Sequence, residues 1–403
     1  CFARPCVFNC PKGAISVINQ QSHIDYSKCI KCGKCQQVCP FNAIIKTTVP
    51  CEEACPVGAI RKNELGVAEI DFKHCIFCGK CFSKCPFSAV MERSQLIPIL
   101  QSIKEGREIV AMVAPSALMQ FPGTVEQLFS AIHQAGFTDV MEVALGAELT
   151  TEHEAAEFAE KMIAGQKIMT TSCCTAYVEL VKRHVPEFFD KVSTTPSPMK
   201  FAARLVREKR PNALTVFIGP CIAKRWEAEN APEVDYVMTF EELGAMLAGL
   251  GIDIMKQEPW DIEKPADQAS RNYAKSCGVT EAVIQEMSKK NPDLAKMNFK
   301  LDNKFINGID KKTAKLLKLY AMGKMPGNFL EVMSCGGGCI GGPRAVADFI
   351  AVRKFAVGSK TGGAERIRAV AVNGKHGAGK FPEPCVAFDM VAVRMRVEYL
   401  ADS

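Results

Sequence analysis

The chain has 403 residues, a formal net charge of +6, 48% apolar residues and 23% charged residues. That length allows two or three domains with real cores. No basic tract with interleaved aromatics points to nucleic acid, no apolar run is long enough to span a bilayer, and no secretory signal opens the chain. The mild positive charge would suit an acidic redox partner but reads first as ordinary surface balance. The first residue is Cys1, so the N-terminus reads as truncated or processed. Twenty cysteines are the outlying number, and thirteen of them lie in the first 85 residues. A small secreted chain would use them as disulfides. Here the spacings are those of metal ligands, which predicts free thiolates in a reducing cytoplasm.

Residues 1–90 form a tandem repeat. Pro5-Cys6-Val7-Phe8-Asn9-Cys10-Pro11 returns as Pro50-Cys51-Glu52-Glu53-Ala54-Cys55-Pro56. The run Cys29, Cys32, Cys35, Cys39-Pro40 returns as Cys75, Cys78, Cys81, Cys85-Pro86. This is the bacterial ferredoxin run given twice, in which three cysteines hold one [4Fe-4S] cluster and the fourth crosses to the other. The expected sets are Cys29, Cys32, Cys35 with Cys85, and Cys75, Cys78, Cys81 with Cys39. Isolated cysteine pairs, as zinc prefers, are not the pattern. Cys6, Cys10, Cys51 and Cys55 read as a third cluster, with Cys1 able to replace one of them; free buried thiols in a degenerate repeat are the alternative.

Ser94 to Gly106 reads as a helix, with Leu96, Ile97, Leu100 and Ile103 on one side. Apolar strands then alternate with helical stretches. Ile109–Val113 leads to Ser116, and Val140–Val143 is a second strand. Thr151 with Glu154 resembles a capping box opening a helix to about Gly165. Strands Lys167–Thr170, Leu214–Ile218 and Phe329–Met333 each run into a cysteine loop. These are Cys173-Cys174, Cys221, and the glycine-rich Cys335-Gly336-Gly337-Gly338-Cys339. Val234–Met238 precedes another capping box, Thr239 with Glu242. The expected fold is an α/β domain with largely parallel sheets over 91–343, behind an α+β ferredoxin-like iron–sulfur domain. Ligands of such sheets collect at the carboxyl ends of strands, where all three loops fall. Residues 255–330 read as helical and polar, with no further chemistry except near Cys277. The segment 344–403 has no clear assignment.

Three stretches resemble the motifs of [FeFe]-hydrogenases: Thr171-Ser172-Cys173-Cys174, Pro220-Cys221-Ile222-Ala223-Lys224-Arg225-Trp226-Glu227, and Glu331-Val332-Met333-Ser334-Cys335 through Cys339. The resemblance implies an H-cluster, a [4Fe-4S] cube bridged to a diiron subsite with CO, cyanide and a dithiolate-amine. Cys174, Cys221, Cys335 and Cys339 would hold the cube, and Cys339 the bridge. Cys173 would be the proton donor, fed by Glu154, Ser193 and Glu157, with Glu227 in the same shell. Lys224 and Ser116 would bind the cyanides, and Met333 would pack over the bridging carbonyl.

Departures mark a less-studied branch: Thr175 for the usual Pro, Gly219 where Met often packs, and no GGGQP ending after Gly341-Gly342-Pro343. The implied activity is reversible interconversion of dihydrogen with protons and electrons. A carrier such as ferredoxin and maturation proteins for the diiron subsite are the expected partners. An H2 sensor on the same cofactor, or an iron–sulfur assembly protein, are the alternatives; retained Cys173 and no recognisable signalling domain speak against the first, and retained Cys173, Lys224 and Glu227 against the second.

Overall fold

The computed structural model describes residues 1–45, 49–63, 66–290 and 301–344, so all but the first residue of the unassigned C-terminal segment lies outside the described residues. Each N-terminal repeat folds into the same small unit. The first runs α1 (Pro5–Phe8), β1 (Ile15–Ile18), β2 (Gln21–Ile24) and α2 (Lys34–Gln37). The second runs α3 (Pro50–Ala54), β3 (Ile60–Lys62), β4 (Ala68–Ile70) and α4 (Lys80–Lys84). Proline opens α1 and α3, where its missing N–H costs nothing. Gly33 and Gly79 precede α2 and α4 at φ +78° and +73°, a backbone that glycine adopts freely. Helices this short do not hold themselves up. Units of this size are held by a staple such as a bound metal.

Helix α5 (Leu96–Lys104) leads into the larger α/β part. Its elements continue as β5 (Ile109–Val113), α6 (Val125–Gln134), β6 (Asp139–Glu142), α7 (Val143–Ile163), β7 (Met169–Thr170), α8 (Thr175–His184) and α9 (Pro198–Lys209). After these come β8 (Leu214–Gly219), α10 (Ala223–Glu229), β9 (Tyr236–Thr239), α11 (Phe240–Gly249), α12 (Gln268–Arg271) and α13 (Gly278–Lys290). The last are β10 (Asn303–Asn307), α14 (Thr313–Ala321) and β11 (Phe329–Met333). One parallel sheet has the order β6-β5-β8-β9, the other β10-β11-β7. Every residue of β5, β8 and β11 is buried. Burial on both faces is why these strands read as continuous apolar runs.

The structure departs from the sequence reading in three places. Thr151 and Glu154 do not cap a helix; they lie inside α7, which already starts at Val143. The apolar Val143-Ala144-Leu145 continues the helix upstream, and the Thr151 hydroxyl instead donates to Ala147 O at 2.8 Å. The second strand therefore ends at Glu142. The stretch read as helical between 255 and 330 contains β10, whose alternating exposed and half-buried residues mark an edge strand. The capping box at Thr239 and Glu242 is present, hydroxyl and carboxylate each satisfying the other's backbone N–H.

The second N-terminal unit is seated tightly on the α/β part. A Cβ at Gly79 would lie 2.7 Å from Ile222. Lys80 donates to Ile309 O, and Ile76 joins an apolar cluster with Tyr177, Leu330 and Val332. The joint also carries buried charge. Arg225 pairs with Glu92 at 2.5 Å and with Glu242 at 2.6 Å, and Arg344 reaches Glu92 at 2.5 Å. Removing one partner strands the others in a poorly solvated site. Arg225→Met is expected to destabilise the protein by about 3–5 kcal/mol, read from the guanidinium unfolding midpoint. A loss below about 1 kcal/mol would mean that the group behaves as an exposed pair.

Candidate functional site

The three cysteine loops leave the carboxyl ends of parallel strands, Cys173-Cys174 after β7, Cys221 after β8 and Cys335 after β11, while Ser116 follows β5. These ends belong to both sheets, and they wall one cavity of about 90 Å³. Cys173, Cys174, Cys221, Cys335 and Cys339 all line it, with Ser116, Lys224 and Met333. Glu227, Glu154, Glu157 and Ser193 stand behind this wall. The glycines of the third loop have a steric reason. Gly338 has φ +87°, and a Cβ there would sit 2.5 Å from Ala274 O. The loop pairs at that point with Lys275.

Burial dominates the electrostatics. It pushes the thiol of Cys221 up to about 11 and that of Cys339 up to about 12. Cys173 and Cys335 are driven well above the usual thiol range, again first by burial. A bound metal removes this penalty, because it takes the thiolate. Among the described residues no three Cys, His, Asp or Glu groups converge on a point that one ion would occupy. The sulfurs surround a volume, which fits a multi-iron centre better than a single ion. Ser116 Oγ is fully buried on the cavity wall without a hydrogen-bond partner, a donor that a polar ligand would satisfy. The residues present therefore fit an iron–sulfur group with polar ligands.

Lys224 points its ammonium into the same wall. It donates to Glu227 at 2.6 Å and to Cys173 O at 3.2 Å, leaving one of three N–H groups. Burial pulls the Lys224 amine down, but Glu227 outweighs this and holds it above its ordinary value. Glu227 is kept below the usual carboxylate range, its burial overcome by Lys224, Ser197 and Thr175. Ser197 and Thr175 each donate a hydroxyl to a different Glu227 oxygen. Thr175→Val would take one of these away from a buried carboxylate. The expected loss is about 1–3 kcal/mol, measured by chemical denaturation of the apoprotein, with Thr175→Ser near the parent.

A chain of polar groups runs from the surface to Cys173. Lys161 pairs with Glu157 at 2.7 Å, and Ser193 donates to Glu157 at 2.6 Å. Burial raises the Glu157 carboxyl, but Lys161, Ser193 and Thr194 together lower it to about 2. Ser193 also acts on Glu154, which accepts Ser172 N–H at 3.3 Å and is completely buried. Burial, then the Glu157 charge, pushes the Glu154 carboxyl up to about 8. After burial, Glu154 is the strongest influence on the Cys173 thiol.

The two hairpins set where the N-terminal cysteines lie. Cys55 acts electrostatically on each of Cys75, Cys78 and Cys81, and it packs in one buried cluster with Cys51, Cys75 and Cys81. Cys39 lies just beyond α2 in the first unit. It accepts Ala43 N–H at 3.4 Å within the first unit. Cys6 and Cys10 likewise stay with the first unit, at α1 and just before β1, and Cys51 and Cys55 with the second, at α3 and its end. The four proposed ligands of a third cluster are therefore divided between units. The physical reason is the hairpin, which folds each half-motif back on its own following run.

The family model for the iron-only hydrogenase large subunit, C-terminal domain, matches residues 107–343. The chain belongs to the iron-only hydrogenase family. A 4Fe-4S binding domain matches 22–45, and an LdpA Fe-S cluster-binding domain matches 45–96. The chain is 27% identical over 379 residues to the periplasmic [Fe] hydrogenase large subunit of Nitratidesulfovibrio vulgaris, covering 79% of this chain and 85% of that one. It is 26% identical over 256 residues to iron hydrogenase 1 of Clostridium pasteurianum, covering 54% and 44%. The chain thus spans less than half the length of that relative. A probable cytosolic Fe-S cluster assembly factor of Aedes aegypti is 22% identical over 308 residues, covering 62% and 64%. Apo [FeFe]-hydrogenase HydA1 from Chlamydomonas reinhardtii shares the fold at TM-score 0.51 and 20% identity, over 65% of this chain and 88% of that one.

Within this hydrogenase-family site, several features carried no motif in the sequence. Tyr273 lines the cavity and its hydroxyl meets Thr151 at 2.9 Å. Nothing in its polar surroundings signalled a wall residue. Cys78 also lines the cavity, from the second N-terminal unit. At Gly219, the Phe217 ring takes the space; a Cβ there would lie 2.6 Å from it, and Phe217 faces the cavity. Cys277 is not part of the lining. Its backbone N–H donates to Glu331 at 2.7 Å, and Thr280 holds the other Glu331 oxygen. Glu331 thus ties that loop to β11. Among the described residues no helix is long and apolar enough to cross a membrane.

Proposed function

We propose that this protein is an [FeFe]-hydrogenase that interconverts dihydrogen with two protons and two electrons. The observation that supports this most is the meeting of five thiols from three distant loops around one cavity, backed by a buried carboxylate relay. In this reading Cys174, Cys221, Cys335 and Cys339 would hold the H-cluster. When bound, that group supplies the iron at which dihydrogen is split or formed. Cys173 carries the proton between the cavity and Glu154. Ser193 passes it to Glu157, whose Lys161 partner and low affinity for protons favour release to solvent. Lys224 would direct its free N–H into the cavity, held by Glu227, and Ser116 would offer its hydroxyl to a second anionic ligand. Met333 closes the apolar side and excludes water.

Residues 1–90 form the electron-relay domain and 91–343 the catalytic domain. The cysteines of the N-terminal units would hold [4Fe-4S] clusters, which would supply an electron path to a carrier protein such as ferredoxin, and separate maturation proteins would deliver the diiron part. Twenty thiols with no disulfide pattern suit a reducing cytoplasm. The test is infrared spectroscopy of anaerobically maturated protein with a hydrogen assay on the same sample. CO and cyanide stretching bands with turnover are the expected result. Bands without turnover would favour a sensor. A loaded cubane without those bands would favour an assembly role like that of the Aedes aegypti relative.

A further inference from the structure

We infer that each N-terminal repeat holds its own cubane, with Cys55 rather than Cys39 completing the set of Cys75, Cys78 and Cys81, and Cys10 completing Cys29, Cys32 and Cys35. The inference rests on the reading that this region carries [4Fe-4S] clusters. It changes which thiols hold them and how many there are.

The hairpins carry the argument. In the second unit Ile60 pairs with Ile70, and Asp71 N–H donates to Ala59 O at 2.8 Å. Cys55 lies five residues before Ile60 and Cys75 five residues after Ile70, so both come off the same end of the ladder. In the first unit Ile15 pairs with Ile24, and Asp25 N–H donates to Ala14 O at 2.8 Å. Cys10 and Cys29 stand at the same offsets from that pair. Antiparallel pairing thus presents the Cys-Pro of each half-motif to the three-cysteine run that follows it. The crossing rule of two-cluster ferredoxins is kept, but it operates within a unit.

Cys51 is the rival in the second unit, since it shares the buried cluster. It lies in the first turn of α3, whereas Cys55 follows that helix on extended backbone, where the chain turns toward the hairpin. Ala59 N–H donates to Cys55 Sγ and Ala14 N–H to Cys10 Sγ, both at 3.2 Å, as Ala43 and Ala89 do to Cys39 and Cys85, so the hairpin register and not this bond separates the candidates. Backbone donors of this kind favour the thiolate form. Cys6 with Cys39, and Cys51 with Cys85, are left outside both sets.

The test is iron content and electron paramagnetic resonance of the full chain, reconstituted anaerobically with iron and sulfide and then reduced. The parent should bind about twelve iron atoms, three cubanes counting the catalytic one. Cys55→Ala and Cys75→Ala should each bind about eight and lose the same resonance, and the double variant should lose nothing more. Cys39→Ala, Cys51→Ala and Cys85→Ala should stay at about twelve. Should Cys55→Ala fail to fold, Cys10→Ala with Cys29→Ala in the exposed first unit asks the same question. A Cys39→Ala chain at about eight, or a Cys55→Ala chain at about twelve, overturns the assignment. So does a parent at about sixteen, which would restore the third cluster. A parent at about four would instead remove the iron–sulfur reading of the region.

Discussion

Replacing Cys173 by alanine is expected to lower hydrogen turnover by about 10²–10⁴-fold, the usual worth of a positioned acid–base group. The infrared bands of the loaded cofactor should stay in place. The substitution removes one sulfur and almost no packing, and Cys174 beside it keeps its hydrogen bond from Ser334 N–H at 3.4 Å. What it removes is the link between the cavity, which Cys173 lines, and Glu154, which acts on its thiol more strongly than any other charged group. Alanine offers no exchangeable proton, and the apolar wall admits no substitute. Cys173→Asp, which restores one, should regain part of the activity. Full turnover in Cys173→Ala with unchanged bands would remove this residue from the proton path.

Glu154→Gln should lower turnover by about 10²-fold or more for the same reason, one step further out. It also makes a prediction that needs no cofactor. Burial holds the Glu154 carboxyl up at about 8, against 4.5 as its ordinary value. Between these values the unfolded chain has lost the proton that the folded chain keeps. Stability must therefore fall as pH rises through that window, and level off above it. Glutamine has no proton to lose, so the decline should flatten in Glu154→Gln. Glu157 does not confuse the measurement: its carboxyl is lowered to about 2, so its contribution is lost only on acidification below the window. Guanidinium midpoints of the apoprotein between about pH 5 and pH 8 read the difference directly. Parallel pH profiles for the two proteins would show that Glu154 is ionised in the folded state.

The parts of this molecule that the sequence made legible are those with strong local periodicity or fixed spacing. Buried strands such as Ile109–Val113 and Phe329–Met333 appear within a residue of where their apolar runs lie. The loops that follow them carry cysteines at intervals few other chemistries use. Thr151 and Glu154 misled because a capping box and a mid-helix pair look alike unless the upstream residues are weighed, and Val143 to Leu145 extend the helix. Strand β10 was hidden because an edge strand with one wet face has few apolar residues. Tyr273 and Phe217 reach the cavity by tertiary packing, which no local pattern reports. For the N-terminal cysteines, spacing alone says nothing of the hairpins between them, and the regrouping we infer rests on hairpin register.

The position of Cys78 limits how far this protein can be miniaturised. It walls the cavity and, in the proposed function, also belongs to an electron-carrying cluster, while Gly79 beside it is wedged against Ile222. Trimming away the electron-delivering units to obtain a smaller catalyst would therefore breach the chamber itself. A shortened version would admit water and dioxygen where the parent presents sulfur and hydrocarbon, so its fragility in air should increase together with its loss of electron supply.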